Sequence, residues 1–538
     1  MDYEQNRFGS ASAASLHELR RAGIIGGQGI SFGFDETRRH ELRVPTDGSV
    51  ALFGGAGSGK SASAFANALI GGHLPGNFIC FDPRGELAAV SLLSLSLQGY
   101  ELYFVNHAGL LDLPQHRFNP LDHLKIDSLS LIPDTQKSAL DFCPTPMGVR
   151  SNWAFDDARR WIVELSLYDA ERQGCTSLPG LYELMLAMQG DLDRWCNHLD
   201  AMLQSRFPTV RSFAGEIMGL QKEGKESFTA PMGVLQNALA FMRDPRLQWT
   251  FGGHDFSLEW LTDPGRKIGV FANWPIEYIE TQSPAIRQTI GSAIQHKMRK
   301  PGSASVSVLI DECGQLKAFP SVRELFTFGR GAGLTNNLVA WQEISQIRAG
   351  FGLQADEIIG SAQFRVFKGV RTMESADMVS RMAGTMTLDY DAAIEQSNAR
   401  RLKLHAAQRM LSGGSFFDAA ADLAHYNGAQ THRTKQSRAV LQPDEVLNLP
   451  PTQMVAFASG LVQGPILGHW INHFDRAEFA GLYLNNPYHD QRALIKTRRG
   501  SKKCRIIEAP VPDALSHLPQ YAGGTWRYVE GYKPKMSL

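Results

Sequence analysis

Residues 51–63 read ALFGGAGSGKSAS: an apolar run, a burst of glycines, then a lysine and a serine. Gly54, Gly59, Lys60 and Ser61 satisfy the pattern G-x-x-x-x-G-K-[ST], and they stand where that pattern has meaning, between a strand-like run at 50–53 and a helix-compatible stretch. Glycines let backbone N–H groups turn inward around phosphate oxygens, and a helix N-terminus adds partial positive charge. The stretch Gly54, Gly55, Ala56, Gly57, Ser58, Gly59, Lys60, Ser61 and Ala62 is therefore expected to cradle a nucleoside triphosphate. Lys60 would reach the β and γ phosphates and the Ser61 hydroxyl would ligate magnesium, so ATP and Mg2+ are the expected cofactors.

A phosphate loop needs a second, acidic strand. SVSVLIDECGQ, residues 305–315, supplies it, with an apolar run ending in Asp311 and Glu312. Asp311 is expected to hold the magnesium shell, and Glu312 to polarise the attacking water as catalytic base. A strand ending in two acids is by itself an ordinary solvated turn; beside a phosphate loop it becomes half of a hydrolytic site. The next strand, NNLVAW, runs into Gln342, placed to sense the γ-phosphate or the water.

Further strand-like runs occur at 78–81, 102–105, 267–272, 338–341 and 364–367. Most are separated by helix-compatible segments, the pattern of an α/β fold with a parallel sheet covered by helices. Between 125 and 262 the β-branched runs disappear. In SNWAFDDARRWIVELSLYDA, Ala154, Ala158, Trp161, Ile162 and Leu165 share one helical face. The expected organisation is a lead-in plus the first part of the nucleotide domain over 1–124, an all-helical insertion over 125–262, the second part over 263–484, and a basic tail over 485–538.

Composition sets outer bounds. Fifty-four basic residues balance 54 acidic ones, so any polyanion surface must be local. Candidates are the basic stretch 400–409 and KTRRGSKKCR, residues 496–505, read either as an arm touching phosphates or as a solvated tail. The six cysteines are scattered without a C-x-x-C pair, which fits a reducing cytosol and argues against a zinc or disulfide scaffold. No segment offers the roughly 20 apolar residues of a membrane span.

Several ordered strings resemble one family, the coupling-protein ATPases of type IV secretion and conjugation, the TraG and TraD group. FGSASAASLHELRRAGI (8–24) is similar to the family's lead-in. FDPRGEL (81–87) is similar to its DPKGEL hallmark, with Arg84 for the usual lysine, and HRFNPLDHL (116–124) carries its NPLD turn. The strongest block, 308–347, resembles the second nucleotide motif, an arginine-glycine turn and the sensor strand. VFKGVRTMESADMVSRMAGTMTL (366–388) and LQPDEVLNLP (441–450) follow in the family's order. Asp82, Arg84 and Glu86 are read as structural and adjacent to the site rather than catalytic.

The resemblance implies a P-loop NTPase of RecA-like fold working as a homo-oligomeric, hexameric ring, with ATP between neighbours. It also implies a catalytic arginine supplied in trans, for which Arg330 stands in the corresponding place and Arg323 lies nearby in sequence. Expected partners are DNA, single- or double-stranded, or a secreted protein or relaxosome, together with type IV secretion channel components. The family's N-terminal membrane helices have no counterpart here, so the chain is expected to be cytoplasmic, held at the inner membrane through a partner or an anchor on another polypeptide. Two other readings stay open: a cytosolic DNA translocase of the FtsK or HerA kind, and a substrate-docking receptor with little turnover.

Overall fold

The structure is a computed structural model describing residues 9–146, 148, 151–223, 226–391, 393–411, 421, 433–489 and 493–534. In chain order its strands are β1 (Ser31–Asp35), β2 (Glu41–Arg43), β3 (Val50–Gly54), β4 (Asn77–Pro83), β5 (Glu101–Val105), β6 (Ile268–Trp274), β7 (Val306–Ile310), β8 (Leu338–Trp341), β9 (Phe364–Lys368), β10 (Thr385–Asp391), β11 (Arg433–Ala439), β12 (Gln453–Ala458), β13 (Ile466–His469), β14 (Ala493–Thr497), β15 (Gly500–Cys504), β16 (Ile506–Pro510) and β17 (Thr525–Val529). An 11-stranded sheet runs β2-β1-β13-β12-β9-β3-β8-β7-β4-β6-β5. Its stretch from β9 to β5 is parallel, and antiparallel strands extend it beyond β9.

The runs read as strands from their apolar content form this parallel centre, buried on both faces as such strands require. Alternate residues feed opposite layers: Ala51, Phe53, Ile79, Phe81, Val308 and Ile310 face one core, while Val50, Leu52, Phe78, Cys80 and Leu309 face the other. Phe53 pairs in register with Trp341 and Phe367 and stacks on both rings, at centroid distances of 5.9 and 4.9 Å. Burying each such ring contributes roughly 2–3 kcal/mol.

Between β5 and β6 the chain forms helices, the longest Trp153–Gln173, before returning to the sheet. Ala158, Trp161, Ile162 and Leu165 are buried in that helix as the periodicity requires. A second long helix, Ile279–Arg299, follows β6 and packs on the first helix of the insertion, Leu131–Phe142. Gln288 bonds the Ser138 hydroxyl and carbonyl at 2.7 and 2.9 Å across that junction.

The segment expected to be a basic tail is folded over its described residues. β14 pairs with β15 and β16 with β17 as two antiparallel hairpins. Leu515, Leu518, Tyr521 and Trp526 bury a small core with Leu93 and Leu484. Gln520 caps the sheet edge: its Oε1 accepts from Leu102 N–H at 2.9 Å and its Nε2 donates to Tyr100 C=O at 2.9 Å. An edge strand presents unpaired backbone groups, and a side-chain amide here takes the place of a neighbouring strand. The apolar residues doing this are spaced too irregularly to announce strands. Lys496, Arg498, Arg499, Lys502 and Lys503 stay exposed on the first hairpin. The stretch 400–409 lies on the helix Ala393–Leu411, and the side chains of Arg400 and Arg409 lie outside the described residues.

Among the described residues no helix is long and apolar enough to cross a membrane.

Candidate active site

In an open parallel sheet, ligands gather at the carboxyl ends of the strands. β3 ends at Gly54, β7 at Ile310, β8 at Trp341 and β9 at Lys368, so the motifs read separately from the sequence converge on one edge. The loop after β3 turns through Gly57 (φ +74°) and Gly59 (φ +78°), a left-handed backbone that side chains with a Cβ resist. It then enters the helical segment 61–70, whose first turn is wide, Ala66 N–H bonding to Ser61 C=O.

Lys60 is buried, and its Nζ donates to Gly54 C=O at 2.6 Å and stands 3.5 Å from Glu312 Oε1. Ser61 Oγ donates to Asp311 Oδ2 at 2.5 Å, joining the phosphate loop to the acidic strand. Asp311 Oδ1 is buried without a hydrogen-bond partner. A hydroxyl and an unsatisfied carboxylate oxygen side by side are the donor set that a hard, hydrated Mg2+ takes, so these residues fit the ion. Burial pushes the Asp311 carboxyl up to about 6, against the Ser61 hydroxyl and Lys60 and with the help of the Glu312 charge. A divalent cation reverses that balance by favouring the ionised form.

Glu312 sits in the left-handed region at φ +66°, uncommon for a residue with a long side chain. That backbone turns its carboxylate to accept from Gln342 Nε2 at 2.9 Å. Gln342 is itself fixed, its backbone N–H donating to Gln346 Oε1 at 2.8 Å. Lys60, Ser61, Asp311, Glu312 and Gln342 thus form one constellation lining a cleft of about 670 Å³, with residues 56–62 as its floor.

Asp82 closes the wall behind. Its Oδ2 accepts from Ala88 N–H at 2.9 Å, at the start of the helix Glu86–Leu97, and from Asn273 Nδ2 at 3.1 Å. Burial pushes this carboxyl up to about 7. These bonds make it a scaffold for the site wall.

Arg330 is not in the cleft of its own chain. It lies in the turn Gly329–Ala332, its side chain 62% exposed, pairing with Asp47 at 2.9 Å. Arg323 pairs with Glu357, also at 2.9 Å.

Sequence reasoning missed two parts of the site, a buried cation behind the loop and one wall of the cleft. Lys368 ends β9 beside the loop, with its Nζ donating to Ser63 Oγ at 3.1 Å and lying over the Trp470 ring; burial first, then Lys60, pulls its pKa down to about 8. A charged residue ending a strand next to the phosphate strand was the available signal. The second part is the C-terminal wall of His473, Phe474, Tyr483, Asn485, Asn486 and His489. His473 is buried, its Nδ1 bonded to Ala62 C=O at 3.0 Å, and nothing in its local sequence marks it.

The sequence model for conjugative DNA transfer by the type IV secretory system matches residues 14–412. The chain belongs to this family. A solved structure of the bacterial conjugative coupling protein TrwBdeltaN70, unbound, superposes with a TM-score of 0.58 at 16% identity, covering 86% of this chain and 93% of the other. The plasmid coupling protein TrwB in complex with ADP and Mg2+ superposes at 0.56 and 17% identity, over 86% and 94%. TrwB with the non-hydrolysable analogue ADPNP gives 0.56 at 15% identity, over 86% and 93%. At such identities the likeness shows a shared fold, the RecA-like α/β sheet with its helical domain. No curated protein matches the sequence. For this member of the conjugative DNA-transfer family, residues beyond 412, including the wall at 473–489 and both C-terminal hairpins, lie outside the family match.

Proposed function

We propose that this chain is the ATP-hydrolysing coupling protein of a type IV secretion or conjugation apparatus, receiving DNA or a nucleoprotein and driving it toward the channel. The observation that carries the reading is the bond between Ser61 and Asp311 with Glu312 beside Lys60, a hydrolytic arrangement in a member of the conjugative DNA-transfer family.

Each residue has a task the geometry suits. The inward-turned loop 54–62 binds phosphate oxygens, and Lys60, tethered to Gly54, presents its charge to the β and γ phosphates. Ser61 and Asp311 would hold Mg2+, which when bound neutralises charge on the phosphate oxygens. Glu312 takes the proton of the attacking water, and Gln342 orients that carboxylate and senses whether the γ-phosphate is present. Arg330, outside its own cleft, reaches the γ-phosphate of a neighbour once its pairing with Asp47 opens, in a ring of six. TrwB binds ADP with Mg2+ and ADPNP on the same fold, which supports ATP and Mg2+ here. Phosphate contacts dominate the DNA affinity, so binding is sequence-independent and weakens as salt rises. Inner-membrane attachment comes through a partner.

The test is particle mass in solution with an ATP analogue, with and without single-stranded DNA. A ring-sized particle whose DNA binding falls with salt is expected; a persistent monomer indifferent to DNA contradicts the proposal.

A further inference from the structure

Away from the nucleotide cleft, where the chain leaves β5 for the helical insertion, Asp122 and His123 meet His296 of the helix Ile279–Arg299. One ligand atom from each lies within 4.8 Å of the others. His296 Nε2 is 3.0 Å from Asp122 Oδ1, and the other Asp122 oxygen accepts from the Ser257 hydroxyl. The two imidazoles meet edge to face, ring centroids 5.3 Å apart. His123 is 8% exposed; its Nδ1 is 3.3 Å from Ser292 Oγ, but its Nε2 is buried without a hydrogen-bond partner.

An unpaired buried ring nitrogen costs free energy comparable to a lost hydrogen bond, so a well-packed site that leaves one is short of a partner. A ring nitrogen of His123 lies within 4.8 Å of a carboxylate oxygen of Asp122 and a ring nitrogen of His296, and the ring still has one buried nitrogen to satisfy. Two imidazoles and one carboxylate are a borderline donor set suited to zinc-class ions rather than to Mg2+ or Ca2+. Bonds of about 2.0 Å around a tetrahedral ion put ligand atoms about 3.3 Å apart; the Asp122–His296 pair at 3.0 Å already stands near that spacing, and His123 offers a ligand atom within 4.8 Å of both. Arg299 and Lys137, the cationic side chains whose charge reaches His123, are already paired with Asp134 and Glu324.

We propose that Asp122, His123 and His296 form a structural site for a divalent transition-metal ion of the zinc class. Its position gives it a role: Asp122 and His123 lie on the connection out to the helical insertion, Ser257 on the connection back, and His296 on the helix beneath both. One ion would staple the two crossings to the nucleotide domain. Its imidazole and carboxylate ligands are distinct from the Ser61 and Asp311 pair, and the proposal does not depend on ATP hydrolysis.

The test uses the full chain, stripped with chelator, dialysed, and titrated with Co2+ in excess Mg2+ so that the phosphate-loop site is filled. One equivalent of cobalt is expected, with the intense visible bands of tetrahedral coordination, displaced by Zn2+, together with a rise in thermal midpoint. His296→Gln and Asp122→Asn are each expected to weaken cobalt binding at least about tenfold, whereas Cys196→Ser leaves it unchanged. Asp122→Asn retains acceptor and shape toward Ser257, so it decides the matter if His296→Gln fails to fold. Absence of the bands in the wild type, or equal binding by the Asp122→Asn variant, overturns the proposal.

Discussion

Gln342 Nε2 donates to Glu312 Oε2 at 2.9 Å, tying the residue after one strand to the residue that follows its neighbour's aspartate. In the proposed mechanism the sensor would therefore act on the catalytic carboxylate directly, and the two should behave as a unit. Gln342→Leu is expected to keep nucleotide affinity within about threefold and lower kcat by about 10²-fold, the scale of a misplaced general base. Steady-state ATPase assays alongside fluorescent-nucleotide titration check this; a loss confined to KM would place Gln342 in binding instead.

Arg330 does not line its own cleft and is held by Asp47. Arg330→Ala should leave nucleotide binding intact and reduce turnover by about 10³-fold, as removal of an arginine finger does. Mixing Arg330→Ala with Glu312→Gln protein should restore part of the activity, because an intact site from the first then meets an intact arginine from the second. The same experiment with Arg323→Ala should show little loss. Full activity in the Arg330→Ala variant would remove the arginine from the mechanism.

Lys368 is a second buried cation beside the loop, its pKa drawn down to about 8 by burial and by Lys60. It is charged below that value and neutral above it, so ATP affinity should hold at pH 7 and decline as pH rises through about 8. Lys368→Met should bind ATP about tenfold more weakly at pH 7 and lose this dependence between pH 7 and 9. Parallel pH-dependent titrations decide; identical profiles would assign the decline elsewhere.

His473 supports the loop helix through Ala62, and burial holds its ring down at about 4. An exposed histidine in the unfolded chain takes a proton near 6.5, so between about 6.5 and 4 the unfolded state binds more protons at this position. The histidine's contribution is therefore full above 6.5 and is lost as pH falls through that window, at up to about 1.4 kcal/mol per pH unit. His473→Gln should be less stable at pH 7 yet lose less stability on going to pH 5. Urea midpoints of both proteins at the two pH values provide the check.

Much of the site could be read before the fold was seen because its parts are local. A glycine loop between strand and helix, and an apolar run ending in Asp311 and Glu312, each announce themselves within a dozen residues. The sheet order then brings them together, and Ser61 meets Asp311 across 250 positions of sequence. What was illegible depends on long-range return of the chain. His473 has no motif, and its role comes only from β12 and β13 extending the sheet and delivering it to Ala62. The segment beyond 493 was hidden for another reason: the exposed face of its first hairpin is basic, and its few buried residues serve the edge of β5 and one another.

The most direct measurement is ATP hydrolysis by Glu312→Gln beside the wild type, with nucleotide binding measured on the same samples. The expected result is wild-type turnover stimulated by DNA, and a Glu312→Gln variant that binds ATP and Mg2+ normally while hydrolysing at least about 10²-fold more slowly. Equal hydrolysis by the two proteins, or no hydrolysis by the wild type with DNA present, would contradict a motor built on this site.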